Sequence, residues 1–233
     1  MPDDTESEQS DGISLRERKK RATRRSIARA ALELIADRGY EATTVDMIAE
    51  RAGVSTPTFF RYFSSKDEVL RPGAARNHAM VRQSILSEPK EQEPFWVAWR
   101  AVRTAILDDF DAETAILRQK AVRSHPTVSG TEMRTRSAWE HVIADALDEW
   151  KGASTVRGDS RLTARIVMTL VVHSTARWME GGAKTDYEMA LDDTFQEFLR
   201  QYPGSTSKRP PGAQAQARRP RGVDATGRTR GRR

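Results

Sequence analysis

Thr44-Val45-Asp46-Met47-Ile48-Ala49-Glu50-Arg51-Ala52-Gly53-Val54-Ser55-Thr56-Pro57-Thr58-Phe59-Phe60-Arg61-Tyr62-Phe63-Ser64-Ser65-Lys66-Asp67-Glu68-Val69-Leu70 is the stretch whose reading decides the fold. Thr43 or Thr44 caps a short helix in which Val45, Ile48, Ala49 and Ala52 share one face. Gly53 ends that helix, because a tight turn between helices needs a residue tolerant of positive φ. Ser55 caps a second helix, with Pro57 in the first turn where a missing N–H costs little. Phe59 and Phe63 stand four apart and face inward, and Ser64 or Ser65 starts a further helix. Two short helices joined at Ala52-Gly53-Val54 have the proportions of a helix-turn-helix, whose second helix enters the DNA major groove while the first crosses the backbone. Spacing alone leaves other helix pairs with a glycine turn open.

Upstream, Leu15 to about Arg38 holds no proline or glycine and repeats Ile27, Ala31, Leu34 and Ile35 at helical spacing, until Gly39 ends it. Downstream, helices are expected over Phe95 to Phe110, Ala112 to Arg123, Thr131 to Trp150, Arg161 to Met179 and Tyr187 to Tyr202. Ile166 to Val172 is apolar around most of its circumference, which predicts burial on two sides. No segment alternates with period two. The expected fold class is all-α, with about nine helices: an N-terminal three-helix unit and a larger helical body. Pro72-Gly73 falls inside the fourth helix and forces a kink or break, either a hinge or a plain boundary between two helices.

Charge divides the chain into four parts. Residues 1–13 carry five acids and no base, residues 14–66 are net +6, residues 67–203 net −3, and residues 204–233 net +8. This division predicts an acidic disordered start over 1–13, a basic module over 14–66 that carries the helix-turn-helix, a mildly acidic helical body over 67–203, and a basic disordered tail over 204–233. Two basic modules point to a polyanion. The absence of cysteine excludes disulfides, thiolate metal sites and cysteine nucleophiles. No apolar run approaches the ~18 residues of a membrane span, and the polar, acidic start does not read as a signal peptide. A soluble cytoplasmic protein with no membrane partner is expected.

From about residue 18 to 70 the residues resemble the DNA-binding motif of the TetR family of transcriptional regulators. Ala30-Ala31-Leu32-Glu33-Leu34-Ile35-Ala36-Asp37-Arg38-Gly39-Tyr40 is similar to the end of that family's first helix. Phe110-Asp111-Ala112-Glu113, Trp139-Glu140 and Arg177 to Gly182 look similar to the mycofactocin-regulator type within the family. The resemblance implies roles by position, in a helix-turn-helix from Thr44 to Phe63. Thr44 matches the residue that caps the second helix and touches a phosphate. Ser55 opens the recognition helix, and Thr56, Pro57, Thr58 and Arg61 match its outward positions. Tyr62 and Lys66 match phosphate-contacting positions, where phenol and ammonium donors suit phosphate oxygens. Arg61 presents a fork that fits guanine O6 and N7, with a phosphate contact as its other reading. Tyr62 alternatively packs. Phe60 stands where many members have Tyr, so one phosphate contact is lost, while packing against sugar or a thymine methyl remains.

The family also implies a small-molecule effector, a homodimer through the last two helices (here about 161–180 and 185–202) and a palindromic operator. Candidate cavity residues are Trp96, Trp99, Arg103, Arg118, Trp139 and Trp178, each alternatively a core or solvated residue. The mycofactocin-type likeness suggests an acyl-CoA-like effector. The expected function is a repressor released by that effector; the alternative is a nucleoid-type architectural protein. No enzymatic activity, cofactor or metal is expected. His78, His125, His141 and His173 are scattered, and Asp108, Asp109, Asp111 and Glu113 are explained by a helix N-terminus. Arg218 to Gly222 and Thr229 to Arg233 resemble AT-hook segments, with a non-specific electrostatic anchor as the other reading.

Overall fold

The computed structural model describes residues 14–70, 74–108, 110–152 and 157–203. These form ten helices and no strand: α1 (Leu15–Arg38), α2 (Val45–Arg51), α3 (Thr56–Tyr62), α4 (Lys66–Val69), α5 (Ala74–Leu86), α6 (Pro94–Leu107), α7 (Ala112–Ser124), α8 (Pro126–Lys151), α9 (Arg157–Glu180) and α10 (Tyr187–Gln201). The tenth arises because the single helix expected across Pro72-Gly73 is two, α4 and α5. Proline lacks the N–H that a continuous helix requires. Pro72 and Gly73 themselves, and so the hinge reading, lie outside the described residues, as do the acidic start, Asp109 and the basic tail.

The sequence sets the helix starts through short polar caps. Ser14, Thr44, Ser55, Ser65, Asp111 and Asp186 each accept a backbone N–H of the first turn that follows. The Asp111 carboxylate takes the Thr114 N–H at 2.8 Å, which accounts for an acid at that place. Helix α8 starts at Pro126, one turn ahead of the expected Thr131, because proline at the first position is already shaped for a helix. Val128 is buried on that added turn and Thr131 directly after it, which outweighs the glycine at 130.

Three apolar clusters organise these helices. Ile27, Ala31, Leu34, Ile48, Phe59, Phe63 and Val69 form the N-terminal core, so α4 packs with the helix-turn-helix unit. A larger core fills the body, where Trp99 stacks on Phe195 at 4.6 Å and Phe110 on Tyr187 at 4.2 Å. The third cluster joins the two. Leu32 and Ile35 of α1 and Leu70 meet Ala121 of α7 and Val128 of α8. Helix α1 therefore buries two faces, one toward α2–α4 and one toward α7 and α8. Polar contacts reinforce the junction: Arg29 pairs with Glu113, Arg21 lies 3.6 Å from Asp108, and the Thr127 hydroxyl donates to Glu41 at 2.6 Å. Gly39 ends α1 at φ +88°, and a Cβ there would stand 3.4 Å from the His125 ring at the α7–α8 corner.

Within α9, Val167, Met168, Leu170 and Val171 are buried, Ile166 is half-buried and Val172 is 45 % exposed. The run is thus covered around most of its circumference, with one strip left open.

Candidate nucleic-acid interface and ligand cavity

Helices α2 and α3 are held at a fixed angle by a turn of few residues. Gly53 takes φ +68°, and the Val54 N–H returns to the Ala49 carbonyl at 2.9 Å. The Thr56 hydroxyl donates to Asp46 at 2.7 Å, tying the start of α3 to α2. Ser55 accepts from the Thr58 N–H at 3.2 Å, and Thr44 accepts from Met47 N–H at 3.3 Å. Phe59 and Phe63 anchor the inner side of α3 in the core, fully buried.

The outer side of α3 presents Pro57, Phe60 and Arg61, with Thr56, Thr58 and Tyr62 half-buried at its margins. Phe60 is 52 % exposed. Such a large apolar side chain on an otherwise polar helix face is the kind of group that packs on sugar or a thymine methyl. Arg61 lays its guanidinium 5.3 Å from the Tyr62 ring. Both residues continue into a groove whose other wall is the first turns of α1: Ser14, Arg16, Lys19, Lys20 and Thr23. The structure thus brings Arg61 and Tyr62 together with a basic helix start. Arg16, Lys19 and Lys20 were not singled out from the sequence, although their spacing along α1 places them on one side and the net charge of residues 14–66 signalled them.

Lys66 sits differently from the phosphate-contacting position the resemblance gave it. Its ammonium points inward, donating to the Tyr40 carbonyl at 2.7 Å and the Thr43 carbonyl at 2.8 Å, and lies 4.0 Å from the Tyr40 ring centre. The α1–α2 loop leaves those carbonyls without helical partners, and a lysine with three donors satisfies both.

Glu68 fastens the end of α3 to α1. It accepts from the Ser64 N–H at 2.7 Å and the Ser64 hydroxyl at 2.8 Å, and pairs with Arg24 at 3.2 Å. Burial pushes its carboxyl up, but the Ser64 donors and the Arg24 guanidinium outweigh that and hold it below the usual glutamate value. Its stabilisation is therefore complete above the unfolded value and disappears as pH falls through the folded one. Urea denaturation followed from neutral pH down through the carboxylate range should show wild type losing stability more steeply than Glu68→Gln; parallel curves would contradict it.

A cavity of about 420 Å³ lies between α1 and the body. Arg24 and Ala28 of α1, Arg118 of α7, Trp139 of α8, Val171 of α9 and Tyr187 are among its walls. Of the six candidate cavity residues, the structure brings two to the wall, Arg118 and Trp139. Trp96 and Trp99 instead pack around Phe195, at 4.8 Å and 4.6 Å between ring centres. Arg103 is bound to Asp192 at 2.8 Å and Glu188 at 2.6 Å. Trp178 donates its N–H to the Thr185 carbonyl at 2.8 Å and stands edge-on to Tyr187. Arg118 makes no hydrogen bond or ion pair among the described residues; desolvation by burial pulls its pKa below the ordinary arginine value, opposed by the Glu132 carboxylate.

Comparison with known proteins places the fold in a family. The family profile "Bacterial regulatory proteins, tetR family" matches residues 27–71, the end of α1 through α4. The HTH-type transcriptional regulator TcmR of Streptomyces glaucescens is 36% identical over 141 residues, covering 57% of this chain and 62% of TcmR. The chain thus spans somewhat under two thirds of that relative. The fatty acid metabolism regulator protein of Bacillus subtilis is 40% identical over 194 residues, covering 78% of this chain and 96% of that protein. Among solved structures, the fatty acid degradation regulator FadR of Bacillus halodurans superposes with a TM-score of 0.52 at 20% identity, over 75% of this chain and 97% of that one, and shares the fold. With a helix-turn-helix at residues 45–62, a helical body behind it and a relative matched over nearly its full length, the chain belongs to the TetR family of transcriptional regulators.

Proposed function

We propose that two copies of this chain bind a palindromic operator and leave it when a small molecule fills the cavity, so that the protein acts in the cytoplasm as a repressor and not as an enzyme. The observation that carries this reading is the continuity of one surface. The exposed face of α3 runs through Arg61 and Tyr62 into the basic groove of Arg16, Lys19 and Lys20. The first part suits base edges and the second suits phosphates. Thr44, Ser55, Thr56, Pro57, Thr58, Phe60, Arg61 and Tyr62 form the DNA-facing set, with the α1 bases added to it. Residues 14–66, with the remainder of α4, make the DNA-binding domain; the rest, to residue 203, makes the sensing and dimerising body.

The dimer reading is supported by exposed apolar side chains on the last two helices: Leu162 at 60 %, Val172 at 45 % and Met189 at 57 %. A pair of α3 helices roughly 34–36 Å apart would meet successive major grooves. The effector reading is supported by the mainly apolar wall of the cavity and by the relative named for fatty acid metabolism, which favours a ligand with an acyl-like body.

Selection of DNA sites from a random pool, followed by footprinting, tests the proposal. A discrete protected palindrome is expected, and uniform coverage of all fragments would overturn it in favour of an architectural role. On the selected site, Arg61→Ala should cost about 1–3 kcal/mol and relax preference at one base position. An equal loss on every sequence would reassign Arg61 to a phosphate.

A further inference from the structure

The cavity is walled mainly by apolar groups, yet it holds an excess of guanidinium. Arg24, Arg25, Arg118 and Arg136 line it, against Asp111 and Glu132. Two of the charges are committed elsewhere: Arg136 to Glu140 and Thr169, and the Asp111 carboxylate to the cap of α7. Arg118 is half-buried at the cavity wall and has no hydrogen-bond acceptor among the described residues, Glu132 acting on it only through space. The Nε–H of Arg24 is buried without an acceptor, and so is the Asn77 Oδ1 atom without a donor, both on the same cavity. Enclosed donors of this kind bind an anionic oxygen far more strongly than exposed ones, because water competes less.

We propose that the cavity takes an amphipathic ligand with one anionic head, bound by Arg118 with Arg24 as second donor, its apolar body lying against Ala28, Trp139 and Val171. This deepens the effector reading above and rests on it. A carboxylate matches the guanidinium fork. A volume of about 420 Å³ lies toward the low end of the roughly 300–1,000 Å³ of ligand pockets and suits a single chain or ring system. The charge of the ligand also reaches the recognition helix. Arg24 stands 4.7 Å from the Phe63 ring at the C-cap of α3, and it holds Glu68, which holds Ser64. An anion on Arg24 competes with Glu68 and loosens that end of α3.

Calorimetric titration of the full chain with laurate, 1-dodecanol and lauroyl-CoA, each below its micelle concentration, tests this, alongside operator affinity. Laurate should bind at least 10-fold more tightly than 1-dodecanol and weaken operator binding; this arm needs no variant. In Arg118→Met, which keeps a stem of similar length, the preference should fall below about 3-fold while operator affinity without ligand is unchanged. A lauroyl-CoA affinity above that of laurate and lowered in Arg118→Met places the anionic head in the carrier phosphates; below it, in the free acid. Either supports the anion site. Equal binding of laurate and 1-dodecanol, with both releasing DNA, overturns the charge assignment and leaves the effector reading standing. No binding by any of the three probes, and no change in operator affinity, overturns both.

Discussion

Phe59→Ala should abolish operator binding while the body keeps its fold. Phe59 is fully buried at the centre of the N-terminal cluster, against Phe63 at 5.8 Å between ring centres and the Phe60 ring at 5.4 Å. Truncating a buried Phe costs about 3–5 kcal/mol. This cluster is small, so the loss falls on α2, α3 and α4 rather than on the large core of the body. The local opening of that segment should rise by roughly two to four orders of magnitude. Trypsin reads it directly, because Arg51, Arg61 and Lys66 lie in the segment. All five tryptophans lie in the body, at 96, 99, 139, 150 and 178, so their emission should stay as in wild type. Unchanged tryptic cleavage, or loss of the tryptophan signal together with DNA binding, would show that the two cores are not energetically separable.

Lys66→Met should lower stability by about 1–3 kcal/mol, because the Thr43 carbonyl loses its charged donor and the Tyr40 carbonyl keeps only the Thr43 N–H at 3.3 Å. The salt dependence of operator binding separates this role from a phosphate contact. A lysine on a phosphate contributes about one unit to the slope of log affinity against log salt. With the ammonium turned inward, the slope should be unchanged in any variant that remains folded. A slope reduced by about one, with normal urea denaturation, would return Lys66 to the DNA.

The helix-turn-helix was legible in the sequence because each of its devices is local. A cap, a glycine turn and the Phe59–Phe63 pair depend on residues within a few positions of one another, and the structure shows all three. The break that makes α4 and α5 was legible as a break, through Pro72-Gly73, though not its consequence that α4 packs with the N-terminal unit. The cavity was legible only in part. Helical spacing says that Trp96, Trp99, Trp139 and Trp178 are inside, but which neighbour each meets is set by how distant helices cross. Phe195, about a hundred residues on, decides it for Trp96 and Trp99. Arg103 was lost to the same cause, since its acids come from α10. The inward turn of Lys66 was not legible, because a position's outward role in a motif does not reveal that a loop carbonyl lies within reach of the ammonium.

Helix α1 carries one more implication, for engineering. It supplies Arg24 and Ala28 to the cavity wall and Leu32 and Ile35 to the junction with α7 and α8. A chimera that grafts this N-terminal unit onto another family member's body would import a foreign wall into that body's pocket. The exchange would alter ligand choice along with operator choice. A clean swap of DNA specificity on this scaffold must therefore keep α1 with its own body and cut after Gly39, replacing only the segment from the α1–α2 loop through α3.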